Sequence, residues 1–147
     1  MKKGMVIIMK DNCIFCKIIA GDIMSATVYE DEDFKAIMDI SPAAKGHVIL
    51  LSKRHAANLY ELDEATAEKA LIVAQKIARA MQKELSCDGL NLLQNNGEVA
   101  GQTIFHFHMH IIPRFVNDQV NMTWTHGEYA EGEASKVAEA IAKYIIA

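Results

Sequence analysis

Apolar positions along this chain switch repeatedly between the two-residue period of a strand and the three-to-four-residue period of a helix. A short helix is expected over 13–20, "CIFCKIIA", with Asn12 as N-cap and Gly21 ending it. Two strands follow, "SATVYE" and "FKAIMD", turned by the acidic run Asp31-Glu32-Asp33. After the Pro- and Gly-bearing loop "ISPAAKG", the unbroken apolar run "HVILLS" predicts a third, buried strand. Asp63 is placed to cap a long helix, Glu64–Leu85. On it Leu71, Ala74, Ala78, Met81 and Leu85 form one apolar stripe, read as core. "LNLLQN" and "TIFHFHMHIIP" are the fourth and fifth strands, joined by a loop holding Gly97 and Gly101. Val137, Ile141 and Tyr144 mark a last amphipathic helix.

Strands dominate and one long helix separates the third from the fourth, the pattern of an α+β domain on an antiparallel sheet. No repeat, low-complexity tract or linker divides the 147 residues. A chain of this length buries roughly two-thirds of its unfolded surface in a single domain. The net charge of −4 and the scattered basic residues give no surface for a nucleic acid polymer. An anionic ligand therefore needs a local site. At the N-terminus, Lys2 and Lys3 precede an apolar run that is too short for a signal peptide and has no cleavage site. Residues 1–11 are read as a loose arm, with Met5 and Met9 as alternative starts. No stretch is long enough to span a membrane. An odd number of cysteines, three, suits a reducing cytoplasm.

Half of the six histidines stand at alternate positions in the fifth strand. Alternation puts Phe105, Phe107, Met109 and Ile111 on a core face and His106, His108 and His110 together on the other. Packing does not explain three imidazoles on one face, because strands favour β-branched and aromatic residues there. Two chemistries compete: a catalytic zinc on three histidines, or one nucleophilic imidazole whose neighbours organise a phosphate. The preceding loop favours the second. Asn95, Gln102 and Thr103 supply neutral donors, its glycines admit a bulky anion, and Glu98 is the loop's only carboxylate.

"HFHMHII" resembles the His-φ-His-φ-His-φ-φ signature (φ apolar) of the histidine triad (HIT) family of nucleotide-binding proteins. "CIFCKIIAGDI", "VYEDEDFKAIMDISPAAKGHVILLSKRH" and "GLNLLQNNGEVAGQTIFHFHMHIIPRF" resemble successive family blocks in the right order. The resemblance covers 12–115, leaves 116–147 as a divergent tail, and is greatest to the nucleoside phosphoramidase branch. It implies a HIT-like fold, a five-stranded antiparallel sheet with one long and one or two short helices.

The resemblance also implies that His108 attacks the α-phosphorus, with His110 and His47 beside the phosphate. Asn95, Gln102 and Thr103 match positions that hydrogen-bond the phosphate and leaving group; Thr103 is often serine in relatives. Asp39 matches the carboxylate that accepts the ribose hydroxyls. Ile14, Phe15, Ile18, Met38 and Ile40 match the apolar cleft around the base. An imidazole of ordinary pKa in the nucleophile's place implies activity that declines below roughly pH 6. In family members with a C-x-x-C, its thiolates bind a structural zinc with two histidines, which here are Cys13, Cys16, His55 and His106. Cys87 is read as buried and His126 as exposed. The implied protein is a cytoplasmic homodimer that hydrolyses purine nucleoside phosphoramidates or other nucleoside monophosphate esters through a nucleotidyl-histidine. Its rivals are a dinucleoside polyphosphate hydrolase and a nucleotide-binding adaptor with incidental turnover.

Overall fold

The structure, a computed structural model, describes residues 10–145, so most of the expected N-terminal arm lies outside the described residues. The elements in chain order are α1 (Ile14–Ala20), β1 (Thr27–Glu30), β2 (Phe34–Met38), β3 (Val48–Ser52), α2 (Glu64–Leu85), β4 (Gly89–Leu93), β5 (His108–Arg114) and α3 (Glu133–Ala142). A single 3₁₀ turn, Glu98–Ala100, interrupts the loop before β5. The five strands form one antiparallel sheet in the order β1-β2-β3-β5-β4. This is the expected α+β architecture. Among the described residues no helix is long and apolar enough to cross a membrane.

β3 lies at the centre, and every one of its residues is buried, which accounts for an apolar run without alternation. Val48 and Leu50 join Phe34, Ala36 and Ile111 under α2, whose Ala70, Val73, Ala74, Ile77 and Met81 cover that face. Ile49 and Leu51 point the other way and pack with Ile37 against Phe15 and Ile18 of α1. The sheet is thus sandwiched between one long and one short helix. Asp63 caps α2, accepting the Thr66 N–H at 3.0 Å. Gly46, at φ +100, brings β3 in beneath Leu85, and a Cβ there would collide with the Leu85 side chain.

Four expectations are corrected. The stripe of α2 that faces the core is Thr66, Ala70, Val73, Ala74, Ile77 and Met81; Leu71 is turned outward at 62% exposed. The same 3-and-4 spacing admits both phases, and only the sheet's position selects one. The N-cap of α1 is Cys13, not Asn12, and it makes no side-chain cap bond because its sulfur is directed at His106. β5 begins at His108 rather than Thr103. Its partner β3 pairs no further than Leu51–His108, so residues 103–107 have no ladder to join and Phe105 is half exposed. His106 therefore stands beyond the ladder, though it meets α1 on the same side of the sheet as His108 and His110. Finally, α3 buries none of its residues against this chain, and Tyr144 lies beyond its end.

Candidate active site

His108 and His110 face α1 from β5, opposite Leu51 and Ile49 of β3. They open onto a cavity of about 420 Å³ between α1 and the sheet, lined also by Ile14, Phe15, Ile18, Met38, Asp39, Ile40 and Thr103. One wall is apolar and the chemistry lies at one end. Ile40, 97% exposed, stands at the rim, whereas Phe15 and Ile18 are buried. The sequence reading missed Ile23, Met24 and Ser25, which also line the cavity. They lie between α1 and β1, in a segment with no periodicity to reveal which side chains face a ligand.

Hydrogen bonds decide the tautomers. The ring Nδ1 of His108 lies 2.6 Å from the carbonyl of His106, which can only accept, so Nδ1 carries the proton. Its Nε2 is left as a lone pair with no partner among the described residues, and it is not sealed from solvent. In His47, Nδ1 accepts the Ala43 backbone N–H at 3.0 Å, so the ring proton is on Nε2. That proton is donated to Nδ1 of His110 at 2.8 Å, and the His110 proton is forced to Nε2. The rings of His108 and His110 are 5.1 Å apart. A lone pair and an N–H donor therefore stand side by side.

Burial keeps these rings neutral. It lowers the pKa of His110 to about 4, with the neighbouring His108 and His47 adding to the effect. Burial lowers His47 as well, opposed by Asp39, whose Oδ2 is 3.6 Å from its Nε2. His108 is also lowered by burial, against its bond to the His106 carbonyl and the charge of Asp39. Asp39 is itself held by the Ser41 N–H at 2.8 Å.

Two expected phosphate ligands sit elsewhere. Gln102 is buried, but its carboxamide oxygen accepts the Gly97 N–H at 2.8 Å and its nitrogen donates to the carbonyls of Ala57 and Ile104. It braces the loop and is not among the residues lining the cavity. Asn95 packs behind Gly101: its Nδ2 is 3.4 Å from where a Cβ would lie, at a glycine with φ +94. Gly101, Thr103 and Ile104 are the residues of this loop that reach the cavity lining. Side chains used within a loop and side chains turned toward a ligand look alike in sequence.

A second cluster lies behind His108. One donor atom from each of Cys13, Cys16, His55 and His106 lies within 4.8 Å of the other three. The Nδ1 of His106 is 3.4 Å from Cys13 Sγ, 3.5 Å from Cys16 Sγ and 3.1 Å from the Nδ1 of His55. Cys16 Sγ is 3.3 Å from the His55 Nδ1. For a zinc tetrahedron with ordinary Zn–N and Zn–S bonds the corresponding edges are about 3.3–3.6 Å. The Nε2–H of His106 donates to the Ser52 carbonyl at 2.6 Å, which leaves its Nδ1 lone pair for the cluster. Two thiols and two imidazole nitrogens converging on one point are a donor set that could hold a tetrahedral zinc. His55 Nε2 is the one buried side-chain nitrogen or oxygen atom without a partner among the described residues. Asp39, His47 and His110 are similarly close, but the backbone contact to His47 keeps its proton on Nε2, so no lone pair there faces an ion. Cys87 is buried and His126 exposed, and neither approaches these groups.

The HIT domain family profile matches residues 20–117. The chain is 46% identical to a HIT family protein from Bacillus subtilis whose crystal structure superposes with a TM-score of 0.89, covering 93% of this chain and 99% of that one. It is 40% identical over 103 residues to adenosine 5'-monophosphoramidase hnt1 of Schizosaccharomyces pombe, covering 70% of this chain and 74% of that protein. A zinc-bound histidine triad family protein from Mycobacterium smegmatis is 34% identical, with a TM-score of 0.71 over 90% of this chain and 94% of that one. The chain belongs to the HIT domain family.

Proposed function

We propose that the protein hydrolyses purine nucleoside phosphoramidates or related nucleoside monophosphate esters through a nucleotidyl-His108 intermediate. The observation that carries this reading is the pair of opposed tautomers, a free Nε2 on His108 beside an Nε2–H on His110. His108 attacks the α-phosphorus as the P–N bond breaks. His110 lends its Nε2 proton to the departing nitrogen and, in the second step, recovers one from the attacking water. The positive charge developing on the His108 ring offsets the charge left on His110, and the two steps together consume one water. Thr103 and the backbone at Gly101 are the donors proposed for the phosphate oxygens, with Asn95 backing Gly101. Asp39 is proposed to hold the ribose, and Ile14, Phe15, Ile18, Met38 and Ile40 the base.

Substrate charge favours the phosphoramidate over a dinucleoside polyphosphate. No lysine or arginine is among the described residues lining the cavity, and its only formal charge is Asp39. Neutral donors suit one phosphate of single charge, whereas a polyphosphate needs cations. The phosphoramidase activity named for the fission yeast relative agrees with this reading. Zinc in the Cys13–Cys16–His55–His106 cluster is proposed as structural, since four protein donors leave no open position. A homodimer is proposed because β4 ends the sheet with Leu92 and Leu93 exposed and α3 buries none of its residues against the described part of its own chain. A cytoplasmic setting suits its free cysteines.

The test is turnover of an AMP–amine phosphoramidate against diadenosine tetraphosphate. Faster release of AMP from the former supports the reading, and preference for the tetraphosphate overturns it. Micromolar AMP binding with negligible turnover of both would instead indicate an adaptor.

A further inference from the structure

We propose that the Cys13–Cys16–His55–His106 cluster holds the nucleophile as well as the fold: His106 and Phe15 are positioning residues that orient His108, and they do so only while the cluster holds its ion. The inference rests on the reading of His108 given above.

His106 is tied on three sides. Its Nδ1 faces the cysteines, its Nε2–H is bound to the Ser52 carbonyl, and its own carbonyl receives the Nδ1–H of His108 at 2.6 Å. That last bond selects the tautomer and sets the plane of the reactive ring. The carbonyl belongs to a segment outside the sheet ladder. Its backbone ties close to His106 are Phe107 N–H to the Ala56 carbonyl and Ser52 N–H to the Phe107 carbonyl, at 2.7 and 3.4 Å. The Phe107 N–H shares a planar peptide unit with the His106 carbonyl, so that carbonyl is held by Ala56, the neighbour of His55, together with the His106 ring.

Phe15 reaches the same place from α1. It stands between the two cysteines in sequence, is buried, and presents an edge-to-face contact to His106 at 5.9 Å and to His108 at 5.0 Å. A helix of seven residues with no side-chain cap does not hold itself in place. Its N-terminal attachment is the pair of thiols. An ion bound there would clamp Phe15 against one side of His108 while His106 holds the ring's Nδ1.

The experiment uses the full chain with ¹⁵N-labelled histidine, zinc-loaded, chelator-stripped and reloaded. Ring nitrogen shifts report the His108 tautomer independently of turnover. The loaded protein is expected to show one Nδ1-protonated ring, the stripped protein an averaged one. The turnover number for an AMP–amine phosphoramidate should fall at least about tenfold on stripping and return on reloading, with KM changed less than about threefold. Phe15→Leu keeps all four ligands; it should retain one zinc per chain and lose about tenfold in kcat with KM within about threefold. A folded, stripped protein whose His108 keeps a single tautomer overturns the proposal. So does a Phe15→Leu variant with raised KM and unchanged kcat, which makes Phe15 only a wall of the base cleft. If stripping unfolds the chain, the leucine variant decides alone. Absence of turnover in the wild type defeats the proposed function, while the tautomer measurement still decides this inference.

Discussion

The Nε2 of His47 lies 2.8 Å from the Nδ1 of His110, and the direction of that bond is fixed from behind by the Ala43 backbone N–H on the other nitrogen of His47. A main-chain donor in the loop before β3 thereby sets which nitrogen of His110 faces the substrate. Replacing His47 with alanine frees His110 to place its proton on Nδ1, as does Asn if its amide turns oxygen-first. Both should lower kcat by about 10–100-fold, in the range of a lost general acid, with a smaller change in KM. Steady-state kinetics on an AMP–amine substrate will show it; a KM effect alone would make His47 merely a wall.

His108 should be indispensable. His108→Asn or His108→Gly is expected to abolish measurable turnover while AMP affinity stays within about tenfold, because the ring acts mainly in the transition state. Calorimetric titration with AMP separates the two effects. Acid-quenched wild type with labelled substrate should carry label on this residue.

The pH profile follows from burial. His110, at about 4, stays neutral well below the range of a free imidazole, and burial pushes His47 and the nucleophile His108 in the same direction. Activity is therefore expected to hold from pH 8 to about 5 and fall toward pH 4, rather than decline below roughly pH 6 as an unperturbed imidazole would require. Stability moves in the same direction. A histidine whose pKa is lower folded than unfolded takes up protons preferentially in the unfolded chain, so its contribution is complete above the unfolded value near 6.5 and is lost as pH falls toward 4. Urea midpoints measured across pH 4–7 should fall with acid. A flat series would contradict the assignment of His110 as a buried neutral ring.

Metal removal is the next test. Protein purified without added metal should contain about one zinc per chain, and chelation should lower stability by on the order of several kcal/mol, as for other sites assembled only by folding. Cys16→Ser should bind less zinc and melt lower. Fully stable metal-free protein would defeat a structural ion at this cluster.

Gly46 offers a check on packing alone. Alanine there places a Cβ against Leu85 at a φ of +100 and should cost about 1–3 kcal/mol, read as a lower urea midpoint with the slope unchanged. Kinetic constants measured well below that midpoint should change little unless His47 moves with its neighbour.

Local chemistry in the sequence was enough to place much of this molecule. The burial of β3 shows in "VILLS", the start of α2 in Asp63, and the end of α1 in Gly21, because each depends on residues within a turn of one another. The grouping of Cys13, Cys16, His55 and His106, and of His108 with His110, was legible through their motifs. Tertiary structure decided the rest, for reasons of partnership. Leu71 and Ile77 have equal claim to a helical stripe until the sheet arrives on one side, and it arrives under Ile77. Three alternate histidines predict one face, but not that each meets a different partner on it. The ladder with β3 ends at His108, so His106 meets the cysteines of α1 while His108 and His110 keep the cavity. Gln102 carries donors suited to a phosphate, yet spends them on the carbonyls of Ala57 and Ile104 while its oxygen accepts from Gly97. Residue type sets what a side chain can do. Which partner it meets depends on backbone brought in from up to ninety-three positions away, as with Cys13 and His106.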